Sequence, residues 1–318
     1  MNAGVRLIGL DWGTSSLRAY LYDAAGKVVA TRQQGWGIRQ LPEGGFAAAL
    51  EAITADWPAC TAIAAGMVGS RQGWREVPYV ALPADAASIA GGMRRVEDCR
   101  SHELWIAPGL ARRQPADVMR GEETQIIGAL AGRPLDGAPL HFVLPGTHSK
   151  WATVRHGRIT AFDTLMTGEM YALLVKHSIL GAGLPPESAR PFVSEAFVRG
   201  VVCARDSGGE GIFGRLFSTR ALMLAGELAP AHVSDFLSGL LIGEELRIAR
   251  LRNEAPLAPL CLIGEAALCE RYTLAAAQFG FAAPTIVNDA AAHGLWVLAG
   301  AGGLLARAKH HSFSGATL

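Results

Sequence analysis

Residues 8–23 read I-G-L-D-W-G-T-S-S-L-R-A-Y-L-Y-D, an apolar run interrupted by a short polar turn and then resumed. Two strands folding back on each other explain the alternation. Asp11, Gly13, Thr14, Ser15, Ser16 and Arg18 crowd into the bend between them. An Asp-x-Gly bend by itself is a hairpin turn of residues that bond their own backbone or tolerate positive φ. A tight turn of Gly and hydroxyl residues also aims backbone N–H and side-chain O–H groups into one concavity, a geometry that suits phosphate oxygens.

Working outward, strands are expected over 5–10, 17–22 and 27–34, a helix over 46–57, strands over 62–67 and 103–107, and a helix over 122–131 that stops before Gly132 and Pro134. The stretch 132–137, G-R-P-L-D-G, reads as a boundary between domains 1–135 and 136–318. Beyond it the opening pattern returns: a strand over 141–144, the turn P-G-T-H-S-K, a strand over 151–155, a His156-Gly157 turn and a strand over 158–162. Laying Gly13-Thr14 on Gly146-Thr147 aligns strand, turn, strand, Gly turn and strand, which duplication of one unit explains. Helices follow over 168–180, 191–205, 214–228 and 231–251, then strand 259–263, helix 265–279, strand 285–288 and a last helix from Asp289. The class is mixed α/β.

A chain of 318 residues, half of them hydrophobic, fills two cores. Its net charge of +1 gives no field to gather nucleic acid or an anionic membrane, so charge selectivity must be local. Five cysteines without a C-x-x-C pair indicate neither a disulfide framework nor a thiolate zinc site. No signal-peptide pattern is recognised at the start, and the longest apolar stretch, 290–306, falls short of the ~20 residues of a membrane helix. A cytoplasmic protein is expected, with neither nucleic acid nor membrane as partner.

Neither turn is a Walker A loop, and no strand runs into a G-x-G-x-x-G helix start. L-D-W-G-T-S-S-L-R (10–18) resembles the first phosphate motif of the sugar kinase/Hsp70/actin superfamily. L-P-G-T-H-S-K-W (144–151), F-D-T-L-M-T-G-E (162–169) with H-S-I-L (177–180), and R-G-E-E-T-Q (120–125) resemble the 2-dehydro-3-deoxygalactonokinase family, over nearly the whole chain. The resemblance implies two ribonuclease-H-like (actin-like ATPase) domains, with the active site in the cleft between them and the last helix of the C-terminal domain near the hinge. It implies ATP and Mg2+ as cofactors, and phosphorylation of the terminal hydroxyl of 2-dehydro-3-deoxy-D-galactonate in galactonate catabolism. A homodimer is left open.

Roles follow residue by residue. Asp11 fits the metal; Gly13, Thr14 and Ser15 fit one phosphate turn, and Gly146, Thr147, Ser149 and Lys150 the opposing one. Arg18 could reach the transferring phosphate. Related kinases place an Asp after a Gly at a helix start ahead of the second phosphate turn, and Gly121-Glu122 occupies that place here. A helix N-terminus holds a carboxylate ionised to accept the hydroxyl proton, and Glu122 is favoured as base over the adjacent Glu123. Either glutamate could instead merely stabilise the helix. The acid's carboxylate wants a cation, for which Arg71 is the candidate, with Gln72 for hydroxyls, Trp12 as a pocket wall and His148 as a local cation. Gly264 and Glu265, between a strand and a helix, fit the adenosine. Kinases for the gluconate epimer or another sugar acid, a phosphatase, and a nucleotide switch on the same fold remain as alternatives.

Overall fold

A computed structural model describes residues 7–135, 137–252 and 259–307. The first two residues of the strand expected over 5–10, and residue 136 of the boundary stretch, lie outside the described residues.

The elements begin with β1 (Leu7–Trp12), β2 (Leu17–Tyr22), β3 (Val28–Gln34), α1 (Gly45–Ile53), β4 (Ala62–Ala65), β5 (Val80–Ala81) and α2 (Ala86–Gly91). They continue with β6 (Arg94–Arg95), β7 (Leu104–Ile106), β8 (Leu110–Arg112), β9 (Asp117–Met119) and α3 (Glu122–Leu130). Next come β10 (Leu140–Leu144), β11 (Ser149–Arg155), β12 (Arg158–Leu165), α4 (Thr167–His177), α5 (Ser194–Arg205), α6 (Ser218–Leu224) and α7 (Val233–Arg252). The chain closes with β13 (Leu260–Leu262), α8 (Ala266–Gln278), β14 (Thr285–Ile286), α9 (Ala290–Ala301) and α10 (Leu304–Arg307).

Two compact units result. One takes the described residues up to 138, 153–162 and those from 289 on; the other takes 139–152 and 163–288. The final helix, expected with the second domain, therefore packs in the first unit. There Tyr22 Oη donates to the Ala292 carbonyl at 2.7 Å.

A six-stranded sheet of order β3-β2-β1-β4-β7-β6 organises the first unit. β1 pairs antiparallel with β2 and parallel with β4. Because β1 is central, both of its faces are covered and its residues read as an apolar run rather than an alternation. Ile8, Leu10 and Trp12 join Ala49, Leu50 and Ile53 of α1 in one core cluster. On the other face a side chain at Gly9 would strike Tyr22 at 2.8 Å and Leu295 of α9 at 3.1 Å.

The second sheet runs β12-β11-β10-β13-β14, with β13 parallel to β10 as β4 is to β1. The order of its first four strands matches β3-β2-β1-β4, the same supersecondary unit twice. Helices α5, α7 and α8 pack on it through Phe197, Val201, Ile242, Leu246, Cys269 and Tyr272.

Differences from the sequence reading have local causes. The helix expected over 191–205 starts at Ser194, where the Asp235 carboxylate accepts the Val193 N–H at 2.9 Å. The helix expected over 168–180 stops at His177, and a 3-10 turn follows whose Leu180 N–H is capped by Ser178 Oγ at 3.1 Å. A third sheet, β5-β8-β9, is built of strands of two and three residues, too short for any period to show. Among the described residues no helix is long and apolar enough to cross a membrane.

Candidate active site

In the first unit the C-terminal ends of the parallel strands β1 and β4 lie side by side, the usual ligand edge of an open α/β sheet. The turn after β1 is tied at its base, with Gly13 N–H donating to the Ser16 carbonyl at 2.9 Å. Its own carbonyls point inward, Gly13 O accepting from Ile38 N–H at 3.1 Å and Thr14 O from Arg39 N–H at 3.3 Å. A side chain at Gly37 would strike Thr14 at 2.3 Å. Thr14 is left half-buried and Ser15 exposed.

Asp11 stands opposite Arg18 in the β1–β2 register. Burial pushes the Asp11 carboxyl up and the Arg18 charge pulls it back. Arg18 is exposed and donates Nε–H and Nη2–H to Gln33 Oε1 at 3.1 and 2.9 Å. Asp289, at φ 55 before α9, adds its charge to Arg18. The sequence reading placed Asp289 only as a helix start, because nothing local reveals that α9 returns to the first unit.

Glycines carry the approach of the next segment. A Cβ on Gly66, just after β4, would lie 2.7 Å from the Trp12 carbonyl oxygen, and one on Gly121 would lie 3.2 Å from Gly66 Cα. The backbone before α3 therefore stacks on the turn after β4, which stacks on the end of β1, so Glu122 starts its helix near Asp11. The two glutamates differ. Glu123 is fully buried; both its oxygens accept the Gly121 N–H, at 3.0 and 2.8 Å, and Thr124 Oγ1 donates to it at 3.0 Å. Burial first, then the Glu122 charge, pushes its carboxyl up to about 8. Glu122 is half-buried, with Oε2 accepting the Arg120 N–H at 2.9 Å.

Trp12 requires a correction. It is fully buried, donates Nε1–H to the Trp36 carbonyl at 2.8 Å and packs edge-on against Phe46 and Trp74, so it is core and no pocket wall. Arg71 and Gln72 are both exposed, on the loop that follows Gly66.

In the second unit Gly146 and Thr147 follow β10 as Gly13 and Thr14 follow β1. The start of α4 presses on this turn: a Cβ on Gly168 would lie 2.5 Å from Gly146 O, and Glu169 N–H donates to Thr147 O at 3.0 Å. Gly264 adjoins the same turn, its Cβ position 3.5 Å from Pro145, and Gly264 and Glu265 are exposed ahead of α8.

Three residues of this turn sit differently from expectation. Ser149 is fully buried with its hydroxyl 3.0 Å from Tyr272 Oη, and Lys150 is buried with Nζ donating to Thr164 Oγ1 at 2.7 Å. Their side chains are therefore turned into the structure rather than toward a phosphate, because β11 is covered on both faces from its first residue. His148 is exposed but engaged by Glu169, Nε2 to Oε2 at 2.5 Å. Beneath them lies Glu245, which sequence reasoning missed. It is buried and accepts Trp151 Nε1–H at 2.7 Å; burial pushes its carboxyl up, and Thr167, Trp151, Tyr272 and Ser149 hold it back.

Among the described residues no group of three or more His, Cys, Asp and Glu could hold a metal ion. Asp11, a single carboxyl at the end of β1, is the residue that would hold a Mg2+, an ion for which one protein carboxylate suffices.

The chain is similar to known proteins over most of its length. The family model described as 2-keto-3-deoxy-galactonokinase matches residues 11–298. The 2-dehydro-3-deoxygalactonokinase of Escherichia coli (strain K12) is 38% identical over 291 residues, covering 90% of this chain and 94% of that one. A crystal structure from Sinorhizobium meliloti, described under the same enzyme name, superposes with a TM-score of 0.84 at 34% identity, covering 92% of this chain and 98% of that one. Component A of (R)-2-hydroxyglutaryl-CoA dehydratase from Acidaminococcus fermentans shares the fold alone, with a TM-score of 0.51 at 14% identity over 96% of this chain and 100% of that one. The match of the family model and of the relatives over most of the chain leads to one conclusion: this chain belongs to the 2-keto-3-deoxy-galactonokinase family.

Proposed function

We propose that this chain transfers the γ-phosphoryl group of ATP to the terminal (6-) hydroxyl of 2-dehydro-3-deoxy-D-galactonate, in galactonate catabolism. The observation that supports the reading is the stacking of Gly121 on Gly66 and of Gly66 on Trp12, which sets the start of α3 beside the end of β1. Phosphoryl transfer asks little covalent chemistry of a protein; it needs a placed phosphate, spread charge and a base near the acceptor hydroxyl.

The substrate's 6-oxygen attacks the γ-phosphorus, the bond to the β–γ bridging oxygen breaks, and ADP leaves. Glu122 takes the hydroxyl proton. Backbone N–H groups of Thr14, Ser15, Gly146 and Thr147, with the Thr14, Ser15 and Thr147 hydroxyls, hold phosphate oxygens. Arg18 lies on the strand beside Asp11 and offsets charge on the transferring group. Asp11 would hold Mg2+, which when bound neutralises charge on the phosphates. The exposed Gly264 and Glu265 take the adenosine, Gly264 giving the ribose and adenine room beside Pro145.

ADP formation with and without a panel of 2-keto-3-deoxy sugar acids tests this reading. Turnover that requires the galactonate-derived acid is expected. Phosphate release independent of any acid would overturn the kinase reading, and turnover on the gluconate epimer alone would overturn the substrate.

A further inference from the structure

Six buried side-chain nitrogen and oxygen atoms among the described residues lack a hydrogen-bond partner, and three of them belong to Ser70 and Arg120: Ser70 Oγ, Arg120 Nε and Arg120 Nη1. Gly69, which precedes Ser70, approaches the guanidinium so closely that a Cβ on it would lie 2.9 Å from Arg120 Nη1. The remaining nitrogen, Nη2, donates to the Val77 carbonyl at 2.8 Å, and Val77 N–H donates to Gly69 O at 3.0 Å. The Tyr79 ring stacks on the guanidinium, 4.3 Å from its central carbon to the ring centroid.

Native structures seldom leave buried polar groups without partners, and a guanidinium is always charged and only donates. Two unmet donor nitrogens, with an unmet hydroxyl on the residue that follows the glycine packed against them, call for an anion with more than one acceptor oxygen. Their position narrows the choice. The Arg120 backbone N–H binds Glu122 Oε2 at 2.9 Å, while its guanidinium lies at the far end of a long side chain. A sugar acid has the same polarity, with its reacting hydroxyl at one end and its carboxylate at the other.

We propose that Arg120, assisted by Ser70, binds the carboxylate of the acceptor sugar acid and so sets the preference for an acid over a neutral sugar. Arg71, the expected cation, is exposed on the loop that follows and is not held by the fold in the same way. Tyr79, whose ring covers this guanidinium, is itself 43% exposed. The proposal rests on the kinase reading above, because that reading supplies the acid.

The test is calorimetric binding of 2-dehydro-3-deoxy-D-galactonate, of its methyl ester and of ADP to the wild type and to Arg120→Lys and Ser70→Ala. A charge-assisted hydrogen bond predicts that the wild type prefers acid to ester by about 10- to 100-fold. In Arg120→Lys most of that preference is expected to vanish while ADP affinity is unchanged; Ser70→Ala should reduce it by a smaller factor. Equal weakening of acid and ester in Arg120→Lys, or an unchanged preference in both variants, would overturn the proposal. Should Arg120→Lys fail to fold and bind no ADP, Ser70→Ala decides: a reduced preference supports the subsite and an unchanged one overturns it. A wild type that binds ADP but no sugar acid would overturn the kinase reading and this inference with it, a result distinct from the others.

Discussion

Glu122 and Glu123 are neighbours at the start of α3, one half-buried and the other sealed against Gly121 and Thr124. Glu122→Gln is expected to lower kcat by about 100-fold or more with little change in ADP affinity, as loss of a general base does; a coupled assay beside a binding isotherm checks it. Glu123 contributes differently. Its carboxyl is raised from 4.5 to about 8, so between those values the folded chain keeps a proton that the unfolded chain has lost. Stability from this group is therefore full below about 4.5 and falls as pH rises toward about 8, beyond which it changes no further. In Glu123→Gln that fall should be absent, seen as a flatter plot of melting temperature against pH across the window. A slope equal to that of the wild type would contradict it. R-G-E-E-T-Q made both glutamates visible in the sequence, but the contrast between them depends on Gly121, Thr124 and the cover above them. Ser149 and Lys150 show the same limit: their partners Tyr272 and Thr164 lie 123 and 14 residues further along.

At the scale of elements, α3 is held by α9 at nearly backbone distance. A Cβ on Gly128 would lie 2.0 Å from the Ala290 carbonyl oxygen, and one on Gly294 would lie 1.8 Å from that of Thr124. Gly294→Ala should therefore force the helices apart and cost about 1–3 kcal/mol. That is a drop of several degrees in Tm at the usual unfolding entropy per residue, and turnover should fall as well, since α3 carries Glu122. A melting temperature and turnover within error of the wild type would remove the rigid helix pair from the account. Hairpins such as β1–β2 were legible because their pattern is local and their turn residues are unambiguous. The return of α9 to the first unit was not, since a helix of small and apolar residues would suit either core.

Across the whole molecule, the two sheets repeat one strand order, and each unit ends its first strand in a Gly-Thr turn. That repetition was readable from Gly13-Thr14 and Gly146-Thr147, because a duplicated unit keeps its turn chemistry as well as its strands. The net charge of +1 gives no global field, so on the proposed reading recognition of two anionic substrates falls to individual groups such as Arg18 and the turn N–H donors. The most direct measurement is phosphorus-31 NMR of the product formed from ATP and 2-dehydro-3-deoxy-D-galactonate, correlated to the carbon-bound protons. One phosphomonoester for each ADP, coupled to the C6 methylene protons, is the predicted result. Inorganic phosphate in its place, or an ester on any other hydroxyl, would contradict the account.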